Sequence, residues 1–297
     1  MRYIDESAVA GVLHMPELIA AMRKTMIDFS ARRVVQPTRR MFEVPQHGGY
    51  FGSMPAASAD AMGAKLVTFY PRNPQKNLHS HMAIVALFEP ETGAPLALMD
   101  GRLITEMRTA AVTAAYVDAV AARDVRSLAI LGAGTQAKSH IDALAHVRRF
   151  DDIRIWNRTR SRAEQLAASV GARAASCEEA VRDADVVVTV TAAREPVFDG
   201  RWLKPGAKVA SVGWGGADGS ELDATTMSHT IIVDSRDGTL AESGNVRRHN
   251  AQIHAELGEV LSGARPVPAQ ATVVFDSIGM ACQDIAAAAL VYRRLGG

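Results

Sequence analysis

The segment from Ser127 to Ala137 restricts the fold of this chain more than any other part of the sequence. An apolar run, Ser127–Leu131, ends at the turn Gly-Ala-Gly-Thr-Gln-Ala over 132–137, and a helix is predicted from about 136 to 147. A buried strand, a glycine turn and a helix in this order are typical of the first βα unit of a doubly wound α/β fold.

The same alternation continues downstream. Apolar runs at 153–156, 185–190, 208–212 and 230–234 are predicted strands, and the stretches 161–170 and 178–182 are predicted helices between them. Continuous apolar runs are typical of parallel strands that are buried on both faces. The pattern therefore predicts the fold class α/β, with one Rossmann-type, doubly wound parallel sheet over residues 123–275.

The flanking regions have a different pattern. A helix is predicted near 15–32, and the extended segments after it, punctuated by glycine and proline, predict a separate α+β region. The alanine-rich stretch 280–295 is a predicted helix too short to form a domain, so we expect it to pack on the N-terminal region. The predicted domains are thus 1–122 plus 276–297, and 123–275 inserted between them.

Composition excludes several classes of function. The 297 residues are 48% hydrophobic and 22% charged, which excludes a disordered or fibrous chain. Lys+Arg 33 against Asp+Glu 32 leaves +1, with the basic residues scattered, so neither nucleic acid nor an anionic membrane is expected as partner. Cys177 and Cys282 lie far apart and predict neither a disulfide framework nor a thiolate zinc site. With an acidic N-terminus and no apolar run of about 18 residues, a soluble cytoplasmic protein is expected.

The glycine turn predicts a dinucleotide site. Gly132 permits the tight turn, Gly134 lets the backbone approach a pyrophosphate, and Ala137 permits close packing of helix on strand. The first turn of the helix, with Thr135 and Gln136, offers unpaired N–H groups to the anion. The alternative is a glycine turn that simply ends a buried strand, which the surrounding βαβαβ pattern disfavours.

The residues after the second strand predict which cofactor is bound. An acidic side chain there accepts hydrogen bonds from the ribose of NAD, whereas arginine pairs with the 2′-phosphate of NADP. Asp151 and Asp152 lie at the wrong end of the strand. We therefore predict a preference for NADP(H), with NAD(H) as the alternative, and binding by four residues: Asn157, Arg158, Thr159 and Arg160. A solvated helix N-terminus is the other interpretation, although arginines there oppose the helix dipole.

Three basic residues predict a substrate site. Arg108 precedes the predicted helix 109–116 and would place a cation at the positive end of its dipole. Lys65 alternates onto an apolar strand face, where an ammonium needs a partner or a ligand. Arg39 is a weaker candidate, and Arg40 fits the pattern equally well. Each residue alone is more often part of an ordinary ion pair, but together they predict a carboxylate pocket for a small amino or keto acid.

The segment His79-Ser80-His81 supplies further candidates. Ser80 can hydrogen-bond a substrate, and His81 can donate a proton to a reduced nitrogen. A two-histidine metal site is the alternative, but no third ligand is in evidence, so no metal is predicted. His140 and His146 are predicted to be packing or surface residues.

Motifs along the whole chain point to one family. They are Gly-Ser-Met-Pro-Ala at 52–56, Gly-Ala-Lys-Leu-Val at 63–67, the runs 92–101 and 105–111, the turn 132–137, and Ser-Ile-Gly-Met-Ala at 277–281 with Asp284. With these motifs the chain resembles the ornithine cyclodeaminase/mu-crystallin family almost end to end. The resemblance implies that 1–122 plus 276–297 forms a substrate and dimerisation domain, that 123–275 binds the dinucleotide, and that the protein is a homodimer.

The resemblance also implies roles for individual residues. Arg39, Lys65 and Arg108 are expected to hold the substrate carboxylate, with Lys65 close enough to transfer a proton. Ser80 stands where the family usually has threonine. Four more residues are expected to bind the cofactor, two after predicted strands and two in the segment beside the nicotinamide: Thr191, Gly213, Ser277 and Gly279.

One position departs from the cyclodeaminase pattern. Cyclodeaminases carry an aspartate that here aligns with Gly215, and Asp218 would replace it only in a differently shaped loop. We therefore predict an NAD(P)H-dependent reductase of small cyclic imino acids, which converts Δ1-pyrroline-2-carboxylate to L-proline or Δ1-piperideine-2-carboxylate to L-pipecolate. The alternatives are an ornithine cyclodeaminase, an alanine dehydrogenase and a non-enzymatic, cofactor-regulated binding protein.

Overall fold

The computed structural model describes residues 1–215 and 218–297, which form two compact units. The split unit consists of Met1–Arg108 and Met280–Gly297, and the inserted unit is Thr109–Gly279. The predicted boundaries, 122/123 and 275/276, differ by several residues, because one helix begins in the split unit and ends in the inserted unit. The assignment of substrate and cofactor roles to the two units stays a prediction.

The N-terminal part of the split unit supplies six strands. Its elements, with the helix that leads out of it, are β1 (Arg2–Ile4), α1 (Glu6–Val12), α2 (Met15–Ser30), β2 (Arg40–Val44), β3 (Gly49–Ala57), β4 (Met62–Phe69), β5 (His81–Phe88), β6 (Pro95–Asp100) and α3 (Arg102–Val120). The strands form one sheet in the order β1-β6-β5-β4-β3-β2, antiparallel except for β1 beside β6.

The inserted unit contains the predicted parallel sheet. Its elements are β7 (Ser127–Leu131), α4 (Thr135–Ala145), β8 (Asp152–Trp156), α5 (Arg160–Val170), β9 (Arg173–Ala174), α6 (Cys177–Val181), β10 (Val186–Thr189), β11 (Lys208–Ser211), α7 (Ala224–Met227), β12 (Thr230–Val233), α8 (Arg236–Glu242), α9 (Gly244–His249), β13 (Ile253–Glu256), α10 (Leu257–Leu261) and β14 (Val273–Asp276). All strand pairs are parallel, in the order β13-β12-β14-β11-β10-β7-β8-β9. The predicted fold class is confirmed.

The strands at the centre of this sheet are buried along their whole length. Every residue of β10, β11 and β14 is buried, as are four of the five in β7, which explains why these strands are mostly apolar. The chain runs from β7 to β8 and β9 on one side and then returns to place β10 on the other side of β7. In an open α/β sheet a crevice for ligands forms at such a reversal, outside the carboxyl ends of the strands.

The last helix, α11 (Ala281–Arg294), returns to the split unit. It packs on α2 and on β3, β4 and β5, as predicted for the alanine-rich stretch. Ala287 and Ala288 are fully buried, and their small side chains let the helix approach the sheet closely. In the described parts of the chain, no helix has the length and the hydropathy that crossing a membrane requires.

Candidate functional site

The turn after β7 has the geometry of a dinucleotide-binding turn. Gly132 has a φ of 124°, a conformation that L side chains rarely adopt, and its N–H donates to the carbonyl of Trp156 at 2.8 Å, which ties the turn to the end of β8. Ala137 is fully buried under α4. The glycine at 132 therefore permits the turn, and the alanine at 137 permits close packing of the helix, as predicted.

The N-terminus of α4 fits an anionic ligand. No side chain caps this helix, so its first N–H groups keep their capacity for an anion. Beside it, a Cβ built on Gly134 would meet no atom within 4 Å. The Oε1 atom of Gln136 is buried without a hydrogen-bond partner in the described structure. Open space and an orphaned polar atom next to unpaired N–H groups suit a pyrophosphate and its ribose.

The tip after β8 presents basic side chains to solvent. Asn157 donates from Nδ2 to the carbonyl of Thr159 at 2.9 Å and so shapes the tip, where Arg158 is exposed. Arg160 begins α5 and pairs with Glu164 at 2.8 Å. Asp152 lies at the opposite end of β8, as predicted, and pairs there with Arg154 and Arg173.

The remaining predicted cofactor residues lie along the same edge. Thr191 follows β10, Gly213 follows β11, and Ser277 and Gly279 follow β14. Ser277 Oγ and the Gly279 N–H both donate to a carboxylate oxygen of Asp234 at 2.9 Å, which fixes this segment. All predicted cofactor residues thus lie at the carboxyl ends of five neighbouring strands, in the order β14-β11-β10-β7-β8.

The split unit contains a buried group of charges around Asp284. One carboxylate oxygen of Asp284 is 2.6 Å from Lys65 Nζ, and the other accepts from Arg108 Nε at 2.9 Å. Arg108 also donates from Nη1 to Gln283 Oε1 at 2.8 Å. Lys65 is 1% exposed, Arg108 5% and Asp284 0%. The partner that a buried Lys65 requires is therefore Asp284. This residue accompanies one of the family motifs but is not among the predicted site residues.

The predicted position of Arg108 at a helix start is wrong. Helix α3 begins at Arg102, whose N–H donates to the Asp100 side chain at 2.9 Å, and Arg108 is the seventh residue of the helix. The argument from the helix dipole therefore does not apply. Arg108 needs an anion because it is buried, and Asp284 meets part of that need.

The charges in this group are only partly compensated. Two cations and one carboxylate leave one positive charge, and Arg108 Nη2 makes no hydrogen bond to any described residue. Burial lowers the pKa of Lys65 to about 8, with Asp284 opposing the shift and Arg108 adding to it. Burial alone would raise the pKa of Asp284, but Arg108 and Lys65 hold it below its ordinary value. A second carboxylate, from a substrate, would complete the charge balance.

Two other predicted substrate residues, Arg39 and His81, interact electrostatically with this group. The charge of Arg39 acts on Lys65, which favours Arg39 over Arg40. Burial, followed by the charge of Lys65, lowers the pKa of His81 to about 3, so the ring is neutral at pH 7. Strand β5 begins at His81, so Ser80 lies in the loop that precedes it.

Two further histidines lie in the inserted unit. His140 is buried and held by Thr113 and the Gln136 carbonyl, and His146 is exposed. Among the described residues, no three or more His, Cys, Asp and Glu side chains are grouped so as to hold a metal ion.

The parallel sheet with its glycine turn, and the buried cations of the other unit, define a two-unit α/β protein of the Rossmann dinucleotide-binding class. The chain belongs to the ornithine cyclodeaminase/mu-crystallin family, whose model matches residues 4–297. The resemblance stated from the motifs is thereby confirmed.

Several characterised relatives cover nearly the whole chain. It is 47% identical to the ketimine reductase mu-crystallin of Rattus norvegicus over 284 residues, 93% of this chain and 91% of that protein. It is 30% identical to a Δ1-pyrroline-2-carboxylate reductase of Bacillus cereus over 314 residues, 99% of this chain and 96% of that one.

Solved structures give the same result. The Δ1-pyrroline-2-carboxylate reductase of Thermococcus litoralis, in complex with NADH and L-proline, has a TM-score of 0.94 at 31% identity and covers 99% of this chain and 97% of its own. An archaeal alanine dehydrogenase dimer with bound NAD has a TM-score of 0.92 at 26% identity, covering 99% and 95%. The relatives thus include reductases of the kind predicted from the motifs.

Proposed function

We propose that this protein is an NAD(P)H-dependent reductase of small cyclic imino acids, with Δ1-pyrroline-2-carboxylate or Δ1-piperideine-2-carboxylate as substrate. The observation that carries the proposal is the buried group of Lys65, Arg108 and Asp284, which has an excess positive charge and unused N–H donors. Such a group suits a small carboxylate. The reductase names of the relatives, and the NADH and L-proline bound to one of them, support it.

The two cations of this group and the nearby Arg39 have separate roles in this reaction. Arg108 Nη2 and Arg39 bind and orient the substrate carboxylate, since guanidinium groups match its two oxygens. A reduced nicotinamide, held by the predicted cofactor residues, would supply the hydride for the imine carbon. Lys65 gives a proton to the nitrogen, because a pKa of about 8 leaves it protonated at pH 7 yet able to release the proton.

Ser80 and His81 complete the proposed site. A neutral His81 does not act as a cationic acid, but its ring N–H can still orient the substrate or a water molecule. The Ser80 hydroxyl keeps the hydrogen-bonding group of the threonine usual in the family. Both roles are secondary to proton transfer by Lys65.

The loop after β11 disfavours the cyclodeaminase alternative. A Cβ on Gly215 would lie 2.0 Å from the carbonyl oxygen of Ala193, so an aspartate does not fit this loop. Asp218 is exposed, and its charge acts on Arg248. Gly216 and Ala217, between them, lie outside the described residues. A ready-made imine needs no carboxylate to expel ammonia, so the reductase reaction remains open to this chain.

The cofactor that we propose is NADP(H) in preference to NAD(H). Arg158 and Thr159 are exposed at the tip of β8, and Arg158 makes no contact with another charged group in the described structure. A 2′-phosphate would supply the missing anion. The acid that would favour NAD, Asp152, is held at the far end of the strand.

The location that we propose is the cytoplasm. Cys177 and Cys282 are free thiols, and thiols persist in a reducing compartment. Separation of cell lysate into membrane and cytosolic fractions tests this location directly.

The nearly balanced charge, Lys+Arg 33 against Asp+Glu 32, gives no reason to propose nucleic acid as a partner.

The first test is oxidation of NADPH and NADH by purified protein with Δ1-pyrroline-2-carboxylate. We expect rapid loss of reduced-nicotinamide absorbance. Arg108→Ala should raise the KM for the imine by about 100-fold, because charged hydrogen bonds to the carboxylate are lost, while Arg123→Ala, a change at a largely exposed arginine, leaves it unchanged. If the protein does not oxidise either cofactor but releases ammonia from ornithine with NAD+, it is a cyclodeaminase. Turnover of alanine alone would establish an alanine dehydrogenase. Cofactor binding without any turnover would establish a non-enzymatic binding protein.

Arg158→Ala tests the cofactor preference. Because Arg158 is proposed to pair only with the 2′-phosphate, the KM for NADPH should rise about tenfold or more while that for NADH is unchanged. Arg173→Ala, a change at an arginine in the same unit that pairs with Asp152, is the matched control. Equal KM values for NADPH in wild type and Arg158→Ala would remove Arg158 from the site.

The pH dependence tests Lys65. Its pKa is lowered to about 8, so the protonated form is present below pH 8 and lost above it, and kcat/KM should fall as pH rises through that value. In Lys65→Arg the charge remains but the proton is not released, so we expect kcat to fall by about 100-fold or more and the alkaline limb near pH 8 to disappear. Lys208→Arg, at another buried lysine, should keep the wild-type profile. An unchanged limb in Lys65→Arg would assign it to another group.

We propose that the protein is a homodimer joined through one face of the split unit's sheet, the face that carries Leu66, Met82 and Ile84. Leu66, Met82 and Ile84 are between 38% and 46% exposed on this face, and a contiguous apolar surface of this kind is typical of an interface. The double variant Leu66→Lys and Ile84→Lys should sediment as a monomer, because a dimer would have to bury the charged lysine side chains in its interface. Leu240→Lys, at a leucine of α8 that is 57% exposed, should remain a dimer. A monomeric wild type would contradict the proposal.

A further inference from the structure

Glu221 is a buried acid that the proposed reaction does not use. It lies after β11 and is 2% exposed. Its two oxygens accept five hydrogen bonds, from Thr189 Oγ1 (2.8 Å), the Thr191 N–H (2.8 Å), Thr191 Oγ1 (2.5 Å), Ser211 Oγ (3.0 Å) and the Gly213 N–H (3.0 Å). A carboxylate that accepts this many bonds holds its neighbours in one arrangement.

The bonds divide between two neighbouring strands. Oε1 accepts both donors of Thr191, after β10, whereas Oε2 accepts the N–H of Gly213, after β11. One carboxylate therefore links the carboxyl ends of two parallel strands. Thr191 and Gly213 are also two of the residues predicted to bind the cofactor.

The link extends to a third strand. Asn245 Nδ2 donates to Ser211 Oγ at 3.0 Å and to Asp276 Oδ1 at 2.8 Å, and Asp276 is the last residue of β14. The next residue, Ser277, is another predicted cofactor residue. A continuous hydrogen-bonded network thus runs from Glu221 beneath three of the five strand ends.

We propose that Glu221 is a positioning residue for the nicotinamide cofactor, which holds the strand ends at Thr191 and Gly213 in the geometry that the cofactor needs. The inference rests on the cofactor binding proposed above. Glu221 acts through the backbone that it orders, so the cofactor does not have to order these loops when it binds.

The geometry requires glutamate at this position. In Glu221→Gln the amide NH2 group would face the N–H of either Thr191 or Gly213, and a backbone N–H cannot turn around to accept a hydrogen bond. In Glu221→Asp the charge remains, but the side chain is one methylene shorter and cannot reach both N–H groups. Both substitutions therefore break the link, by different means.

The experiment measures the Kd of the complete protein for NADPH and for NADH by calorimetry, without substrate. We expect Glu221→Gln and Glu221→Asp to weaken both cofactors by about 10- to 100-fold, because two loops must then be ordered on binding. At saturating cofactor the KM for Δ1-pyrroline-2-carboxylate should stay within about twofold of wild type. Loss of both cofactors alike separates this role from that of Arg158, which concerns NADPH alone.

A matched control separates positioning from stability. Glu256 is also buried, lies in the same unit and accepts the N–H of Arg236 at 3.0 Å, but contacts no predicted cofactor residue in the described structure. Glu256→Gln should lower the melting temperature while leaving both Kd values unchanged. If Glu221→Gln does not fold, Glu221→Asp decides the question.

The outcomes are distinguishable. Wild-type affinity in Glu221→Gln or in Glu221→Asp would overturn the inference alone, and so would an equal loss of affinity in Glu256→Gln. Failure of the wild-type protein to bind either cofactor would overturn the proposed function, on which the inference rests.

Discussion

The ion triad of Lys65, Asp284 and Arg108 sets the constraint on which the proposed substrate chemistry depends. Removing two cations from water is costly, and one shared carboxylate compensates only part of that cost. The split unit therefore holds a net positive charge in a place of low polarity, where an arriving carboxylate is attracted more strongly than in water. Burial, with Arg108 adding to it and Asp284 opposing it, lowers the pKa of Lys65 to about 8, the range that the proposed proton transfer requires.

In the inserted unit, buried acids hold the backbone of the proposed cofactor site. Three of its predicted cofactor residues, Thr191, Gly213 and Gly279, donate their backbone N–H groups to the buried acids Glu221 and Asp234. Buried carboxylates thus fix these main-chain positions, whereas the proposed choice between NADPH and NADH depends on the exposed side chain of Arg158.

Local patterns predicted the parallel sheet, the glycine turn and the packing of the last helix, because each depends on periodicity or on small residues within one short segment. The partner of Lys65 could not be predicted in this way, since Asp284 lies in another element. An acid in an alanine-rich helix was the available signal. The start of α3 was missed because the Asp100 side chain, which accepts the N–H of Arg102, resembles an ordinary strand end in sequence.

Arg108 and Asp284 are separated by 176 residues of sequence, and this distance has a consequence for synthesis of the chain. During translation the sheet that carries Lys65 and the helix that carries Arg108 emerge first, followed by the entire inserted unit. Until Asp284 leaves the ribosome, the two cations lack their counter-ion and have no reason to leave water. The inserted unit can fold on its own strands in that interval, whereas the split unit acquires its buried charges last.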